Sequence, residues 1–191
     1  LAESADVDGP FFAPEGSGVP DSIEPAKSSR ASCRGCARNI ARGELRFGES
    51  LPNLFAEGET HVWFHLVCAA CMRPEKLGPA LDVTIHPVAE RDWLQETVAA
   101  GLAHPRLQRL LRAERAPSGA AHCRQCHELI AKGAWRLALQ MFEEGRMRPI
   151  GSIHLECSGT YFGTAEIMGR IERLTESLSP PELADIEQRC R

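Results

Sequence analysis

One set of four side chains occurs twice in the chain at nearly constant spacing. Cys33, Cys36, His65 and Cys68 are followed by Cys123, Cys126, His154 and Cys157, at offsets of 90, 90, 89 and 89 residues. Each set reads Cys-x-x-Cys and then His-x-x-Cys, with 28 residues between the halves in the first copy and 27 in the second. Three thiolates and an imidazole complete the tetrahedral shell of Zn²⁺ and leave no position for water, so two structural zinc ions per chain are expected. A unit repeated in this way predicts two related modules.

The repeat also separates ligands from bystanders. Cys71 extends the first copy, but its counterpart is Thr160; His122 and His127 flank the second knuckle where the first has Ser32 and Ala37. Cys71 and Cys190 are therefore expected to be small buried apolar residues. A secreted disulfide framework is not expected, because the N-terminus shows no basic start, apolar core and small-residue cleavage site. The metal reading implies a reducing, intracellular compartment. Neither Cys-x-x-Cys follows a buried-strand run, which argues against thioredoxin-like redox chemistry. No apolar run approaches the roughly 20 residues that cross a bilayer, so no membrane partner is expected.

Aromatic residues make up only 6% of the 191 residues, and neither half shows the long periodic runs of a large core. Metal binding must then supply folding energy that burial does not. The net charge of −4 argues against a protein that coats nucleic acid generically. Its distribution is uneven, however. Residues 1–26 hold six acids and no base, and residues 158–191 hold six acids against four bases. From residue 30 to its last ligand Cys68 the first metal module holds five basic residues, Arg30, Arg34, Arg38, Arg42 and Arg46, against four acids, and residues 120–157 hold Arg124, Lys132, Arg136, Arg146 and Arg148 against four.

Five segments follow, in an α+β chain. Residues 1–29, rich in Gly and Pro and containing Phe11-Phe12, read as a flexible acidic tail. Residues 30–81 form the first module, 82–119 a helical connector, 120–161 the second module and 162–191 C-terminal helices. In the connector, residues 88–100 give a partly apolar helical face that Gly101 ends, and a second helix from Pro105 places Leu107, Leu110 and Leu111 on one side. At the C-terminus, Ile167, Ile171, Leu174 and Leu178 recur at helical spacing over residues 164–178, and Ser179-Pro180-Pro181-Glu182 reads as the capped start of a last helix. These stripes are expected to pack on the modules; a homodimer contact on DNA is the sharper alternative.

Beyond the ligands, the copies share Ile40-Ala41-Arg42-Gly43-x-x-Arg46 and Ile130-Ala131-Lys132-Gly133-x-x-Arg136. With Lys27-Ser28-Ser29-Arg30 ahead of the first knuckle and Trp63-Phe64-His65 at its histidine, the pattern resembles the zinc finger of poly(ADP-ribose) polymerases (PARP) and of a eukaryotic DNA ligase. The resemblance covers residues 26–72 well and 120–158 less well. It implies zinc-dependent recognition of DNA strand breaks, nicks or double-strand ends, without sequence specificity. Arg30 and Arg46 match the family's phosphate positions; Arg34, Arg136, Arg146 and Arg148 are further phosphate candidates. The base-stacking loop would span residues 51–60 with Leu54 and Phe55 at its tip, and the second loop would offer Phe142 and Met147. The second copy departs from the family: Ala120 replaces the first Arg, Ser152-Ile153 replaces the Trp-aromatic pair, and the loop is one residue shorter. It would bind DNA by a modified contact set or chiefly position the first finger.

The physical chemistry is consistent with that implication, since guanidinium groups bind phosphate bidentately without reading sequence and an exposed terminal base pair offers a flat apolar face. The competing reading is a zinc-stapled protein-interaction adaptor using the same ligands. An enzyme is not expected: the zinc-deaminase pattern with an open metal position is missing, and the segments leave no room for an ADP-ribosyl transfer domain. A catalytic response to a break would then come from an unknown downstream protein. The Ala-, Arg- and Gly-rich composition points to a GC-rich genome, hence a bacterial cytoplasm and nucleoid in preference to a nucleus.

Overall fold

Alternating side chains from Leu45 to Pro52 and from Glu59 to His65 build the first hairpin of the fold. In the computed structural model, which describes residues 20–53 and 57–190, these are β2 and β3. Phe47, Val62 and Phe64 point into the core, while Arg46, His61, Trp63 and His65 alternate onto the other side. Strand β1 (Ser22–Pro25) completes a three-stranded antiparallel sheet in the order β1-β2-β3. The second copy repeats it with β4 (Leu110–Arg115), β5 (Trp135–Glu143) and β6 (Arg146–His154).

The repeat extends into pairing register. Ile23 faces Phe47 and Glu24 faces Arg46; Ala113 faces Leu137 and Glu114 faces Arg136. Two sequence expectations are corrected here. Residues 22–25 belong to the first sheet and not to a tail, while residues 1–19 lie outside the described residues. The run from Pro105 is helical only as a short 3-10 turn, Pro105–Arg109, after which the chain becomes β4. Leu110 and Ala113 are buried against the second sheet, and pairing with β5 outweighs a weak local helical preference.

After His65 the chain turns into α1 (Leu66–Met72), then α2 (Pro74–Val83), which starts on a proline at its first turn. Helix α3 (Arg91–Ala103) runs past Gly101, which sequence reading takes as its end. A Cβ at Gly101 would lie 2.9 Å from Pro74 Cγ and 3.1 Å from Arg170 Nη2, so the glycine marks close packing inside the helix. Helices α4 (Ser158–Phe162), α5 (Met168–Leu174) and α6 (Pro180–Arg189) close the chain, the last with the expected capping box between Ser179 and Glu182. None of the described helices is long and apolar enough to cross a membrane.

The two modules share one continuous core. The turn between β5 and β6, with Glu144 and Gly145 both at positive φ as a tight hairpin requires, folds over the first module. A Cβ at Gly145 would lie 3.1 Å from Leu51 Cδ1 on β2. Phe142 meets Phe64 edge to face at 5.8 Å, and the Arg73 guanidinium lies 4.4 Å from the Phe142 ring centre. Gln140, 4% exposed, donates from Nε2 to the Gly35 carbonyl. Arg170 of α5, also 4% exposed, donates to the carbonyls of Cys71 at 2.8 Å and Thr97 at 2.7 Å, which ties the C-terminal helices to α1 and α3.

Candidate metal centres and nucleic-acid interface

Each metal set is assembled by three local devices. The knuckle closes on itself, with Ala37 N donating to Cys33 O and His127 N to Cys123 O, and the residue after the second cysteine in the left-handed region in both copies. The third strand of each sheet ends on the histidine. The helical turn that follows brings back the last cysteine, Cys68 or Cys157. The ligand atoms within each set lie within 4.8 Å of one another. His65 Nδ1 is 3.4 Å from Cys36 Sγ and 4.0 Å from Cys68 Sγ, and His154 Nδ1 is 3.4 Å from Cys126 Sγ.

These separations fit zinc. Metal–ligand bonds of about 2.0–2.3 Å at tetrahedral angles place ligand atoms within 4 Å of each other. The surrounding hydrogen bonds fit as well. His65 Nε2 lies 3.3 Å from Asn39 O, and His154 Nε2 lies 3.2 Å from Leu129 O, an arrangement that directs Nδ1 of each ring at the metal. Backbone N–H groups of His65 and His154 donate to the sulfurs of Cys33 and Cys123. Arg38 Nε donates to Cys36 Sγ at 3.4 Å, and its Nη1 pairs with Glu176 at 3.1 Å. Bound zinc would cross-link the sheet, knuckle and following helix of each module.

The electrostatics are those of a site for a cation. Cys33 and then Cys68 hold the Cys36 thiol well below its ordinary range, and Cys33 and Cys36 push Cys68 above its own. Cys33 and Cys36 also push His65 up to about 10. In the second set, burial raises Cys123, but donors from Cys126, His154 and Gln125 bring it to about 6, while burial pushes Cys157 up to about 12. Cys71 stands apart from the ligands as expected, fully buried and pushed up to about 11 by that burial.

The six arginines expected to meet phosphate divide into three groups. Arg30 and Arg34 are exposed beside the first knuckle, and Arg146 is exposed at the start of β6. Arg148 pairs with Glu143 and Glu144. Arg46 and Arg136 differ from the expectation. Arg46 is 7% exposed, bonds Glu24 at 2.6 Å and lies over the Trp63 ring at 3.4 Å; Arg136 donates to Glu114 from both Nε and Nη2. Facing carboxylates on the first strand of each sheet draw them inward. Sequence reading missed these carboxylates, although Glu24 and Glu114 stand 90 residues apart like the metal cysteines.

The apolar candidates divide too. Leu54 and Phe55 lie outside the described residues. Phe142 is not a loop tip: it lies on β5, half-buried between Phe64 and Arg73. Met147 is half-buried and lines a cleft of about 670 Å³ between the modules, together with Arg34 and Arg146. Arg112, which sequence reading did not single out, lines the same cleft. Trp63 stands on the opposite face of β3 from Phe64 and forms part of this cleft's wall.

Residues 24–97 match the family model described as the poly(ADP-ribose) polymerase and DNA-ligase Zn-finger region. Over this stretch the chain is similar to PARP-type zinc-finger regions. The match begins at Glu24, inside β1, and runs into α3, so the PARP-type unit includes the strand that pairs with Arg46. Among similar proteins, poly [ADP-ribose] polymerase 1 of Caenorhabditis elegans is 34% identical over 77 residues, 40% of this chain and 8% of its own length. Poly [ADP-ribose] polymerase of Sarcophaga peregrina is 26% identical over 193 residues, covering 89% of this chain and 19% of its own length. The Drosophila melanogaster enzyme is 28% identical over 157 residues, covering 73% and 16% respectively. The chain thus spans less than a fifth of the length of these relatives.

Proposed function

We propose that the chain binds DNA strand breaks, at nicks or double-strand ends, without sequence specificity and without catalysing a reaction itself. The observation that carries this reading is a PARP-type zinc-finger region that holds a complete Cys₃His set and exposes Arg30 and Arg34 beside its first knuckle. Among the described residues neither arginine is engaged in an ion pair, which leaves both guanidinium groups to phosphate. Phosphate contacts alone do not separate broken from intact DNA, because both present the same backbone. Selectivity falls to apolar contact with the exposed base pair by the loop of residues 51–60, in which Leu54 and Phe55 are the candidate tip residues. Such a stack is worth about 1–3 kcal/mol per base. The second finger, with Phe142 drawn onto the first, chiefly positions its neighbour.

The test is a fluorescence anisotropy comparison of nicked, blunt-ended and closed circular DNA of one sequence. Tighter binding to the nicked or ended forms is expected, with the advantage reduced in a Leu54→Ser, Phe55→Ser double variant. Equal affinity for all three DNAs would overturn break recognition. No binding to any of them would favour the adaptor reading, for which Val83 and Ile85, 77% and 93% exposed, provide an apolar patch.

A further inference from the structure

The cleft between the two modules is built by both copies and belongs to neither finger alone. One wall comes from the first module, with Arg34 on the knuckle and His61 and Trp63 on β3; the other comes from the second, with Leu111 and Arg112 on β4 and Arg146 and Met147 on β6. Three guanidinium groups line it, together with the metal cysteines Cys33 and Cys36, and among the described residues no carboxylate does. Arg112 is paired with Glu114 outside the lining, whereas Arg34 and Arg146 form no ion pair among the described residues. His61 stacks on Trp63 at 5.2 Å and 17°, with the Arg46 guanidinium also lying over the Trp63 ring at 3.4 Å, so that His61 is the aromatic ring offered to the cleft; the Met147 thioether stands in the opposite wall.

Cations along a groove interleaved with aromatic and apolar side chains are the means by which proteins hold single-stranded nucleic acid. The dimensions favour a single strand as well. About 670 Å³ lies in the range of clefts that enclose small organic groups, the scale of individual bases and not of a length of duplex. A second hollow of about 370 Å³ shares Cys36, Leu111 and Arg112 with the cleft, but there Arg38 is paired with Glu176, so the open cationic stretch is the cleft between Arg34 and Arg146.

We infer that this cleft takes the unpaired strand at a DNA end or gap, with phosphates on Arg34 and Arg146 and bases against His61 and Met147. The inference rests on the break-binding reading and adds a second site to it. The first finger meets the end of the duplex, while the junction of the two fingers holds the single-stranded flank.

The test compares the full zinc-loaded chain with an Arg34→Gln, Arg146→Gln double variant on a blunt duplex, on the same duplex with a short oligothymidine overhang, and on free oligothymidine. Both arginines are exposed, so zinc content and melting temperature should be unchanged. The wild type should bind the overhang duplex about fivefold or more tightly than the blunt one, the lower end of what one added base stack provides. The double variant should lose that preference, with a salt slope on the overhang lower by about 1.4, about 0.7 for each phosphate contact on a single strand. A Met147→Asp variant should lose it too. Thymidine monophosphate in excess should not compete, whereas free oligothymidine should. A wild type that binds broken duplex but shows no overhang preference would overturn the cleft assignment while leaving break recognition intact. Competition by polyglutamate as effective as by oligothymidine would overturn it as well. A wild type that binds none of these DNAs would overturn the break-binding reading itself.

Discussion

Arg46 donates a hydrogen bond to Glu24 at 2.6 Å across β1 and β2, and Arg136 repeats the contact with Glu114 across β4 and β5. In the first module Arg46 is the buried member, closed off on its other side by the Trp63 ring, while the Glu24 side chain is 31% exposed. A surface phosphate ligand is replaceable at little cost in stability. This arginine is not, because removing Glu24 leaves a buried guanidinium without its partner, and replacing Arg46 removes its packing on Trp63. Glu24→Gln and Arg46→Gln should each cost about 1–3 kcal/mol, read as a shift in urea midpoint at unchanged zinc content. Arg30→Gln should leave the midpoint in place. Equal midpoints for all three variants would mean that the Glu24–Arg46 pair does not support the fold.

Zinc content should follow the two assembled sets. Two ions per chain are expected by mass spectrometry under native conditions. Cys33→Ser or Cys157→Ser should each remove one, while Cys71→Ser should remove none, since that thiol lies outside both sets. A chelator should unfold the chain cooperatively, because metal binding to such a site is folding free energy. Loss of zinc from the Cys71 variant would redraw the first site.

The Glu114 carboxylate sets a pH limit on the second module. Burial raises its pKa, but hydrogen bonds from Arg136 and Arg112 outweigh that and hold it below its ordinary value. A carboxylate whose folded pKa is lowered contributes stability above its unfolded value, near 4.5, and loses it as pH falls through the folded value. Glu156, raised by burial but lowered further by its own backbone N–H and Arg189, behaves in the same direction. The melting temperature should therefore fall below about pH 4.5. Protonation of the zinc thiolates destabilises in the same direction, so the discriminating measurement is the slope in Glu114→Gln against wild type, with zinc monitored. A shallower slope is expected; identical slopes would remove Glu114 as a contributor.

Much of the metal chemistry was legible because it repeats. Two copies of one ligand order at near-constant spacing single out eight side chains, and helix α6 announces itself through Ser179 and Glu182. The edge strands did not. Ser22–Pro25 is four residues long within a Gly- and Pro-rich acidic stretch, and Leu110–Arg115 follows a proline and a helical leucine spacing. Each is defined by hydrogen bonds to a distant strand, a nonlocal preference that short sequence windows do not carry. The same limit applies to Arg46 and Arg136. Their residue type and position match a phosphate ligand, and only the strand register shows which carboxylate faces them. Phe142 follows suit: an apolar residue in the stretch expected to form a reading loop, placed in the fold against Phe64 and Arg73.

Phe142 offers the sharpest test of whether the two fingers form one body. Were it an open stacking residue, truncation would weaken binding to broken DNA and leave stability alone. In this fold Phe142→Ala removes an edge-to-face contact with Phe64 and the platform beneath Arg73, whose guanidinium also pairs with the fully buried Glu49 at 2.6 Å. The ring is half-buried, so the expected loss is about 2–3 kcal/mol, below the about 3–5 kcal/mol of a fully buried phenylalanine. Loosening the junction should also speed proteolysis between the modules and raise the radius of gyration in solution scattering, with both zinc ions retained. Arg73→Met should reproduce part of the effect, and the double variant should cost less than the sum because the two side chains share one contact. Unchanged stability together with weakened DNA binding would return Phe142 to the role its sequence position implies and leave the two fingers as separate readers.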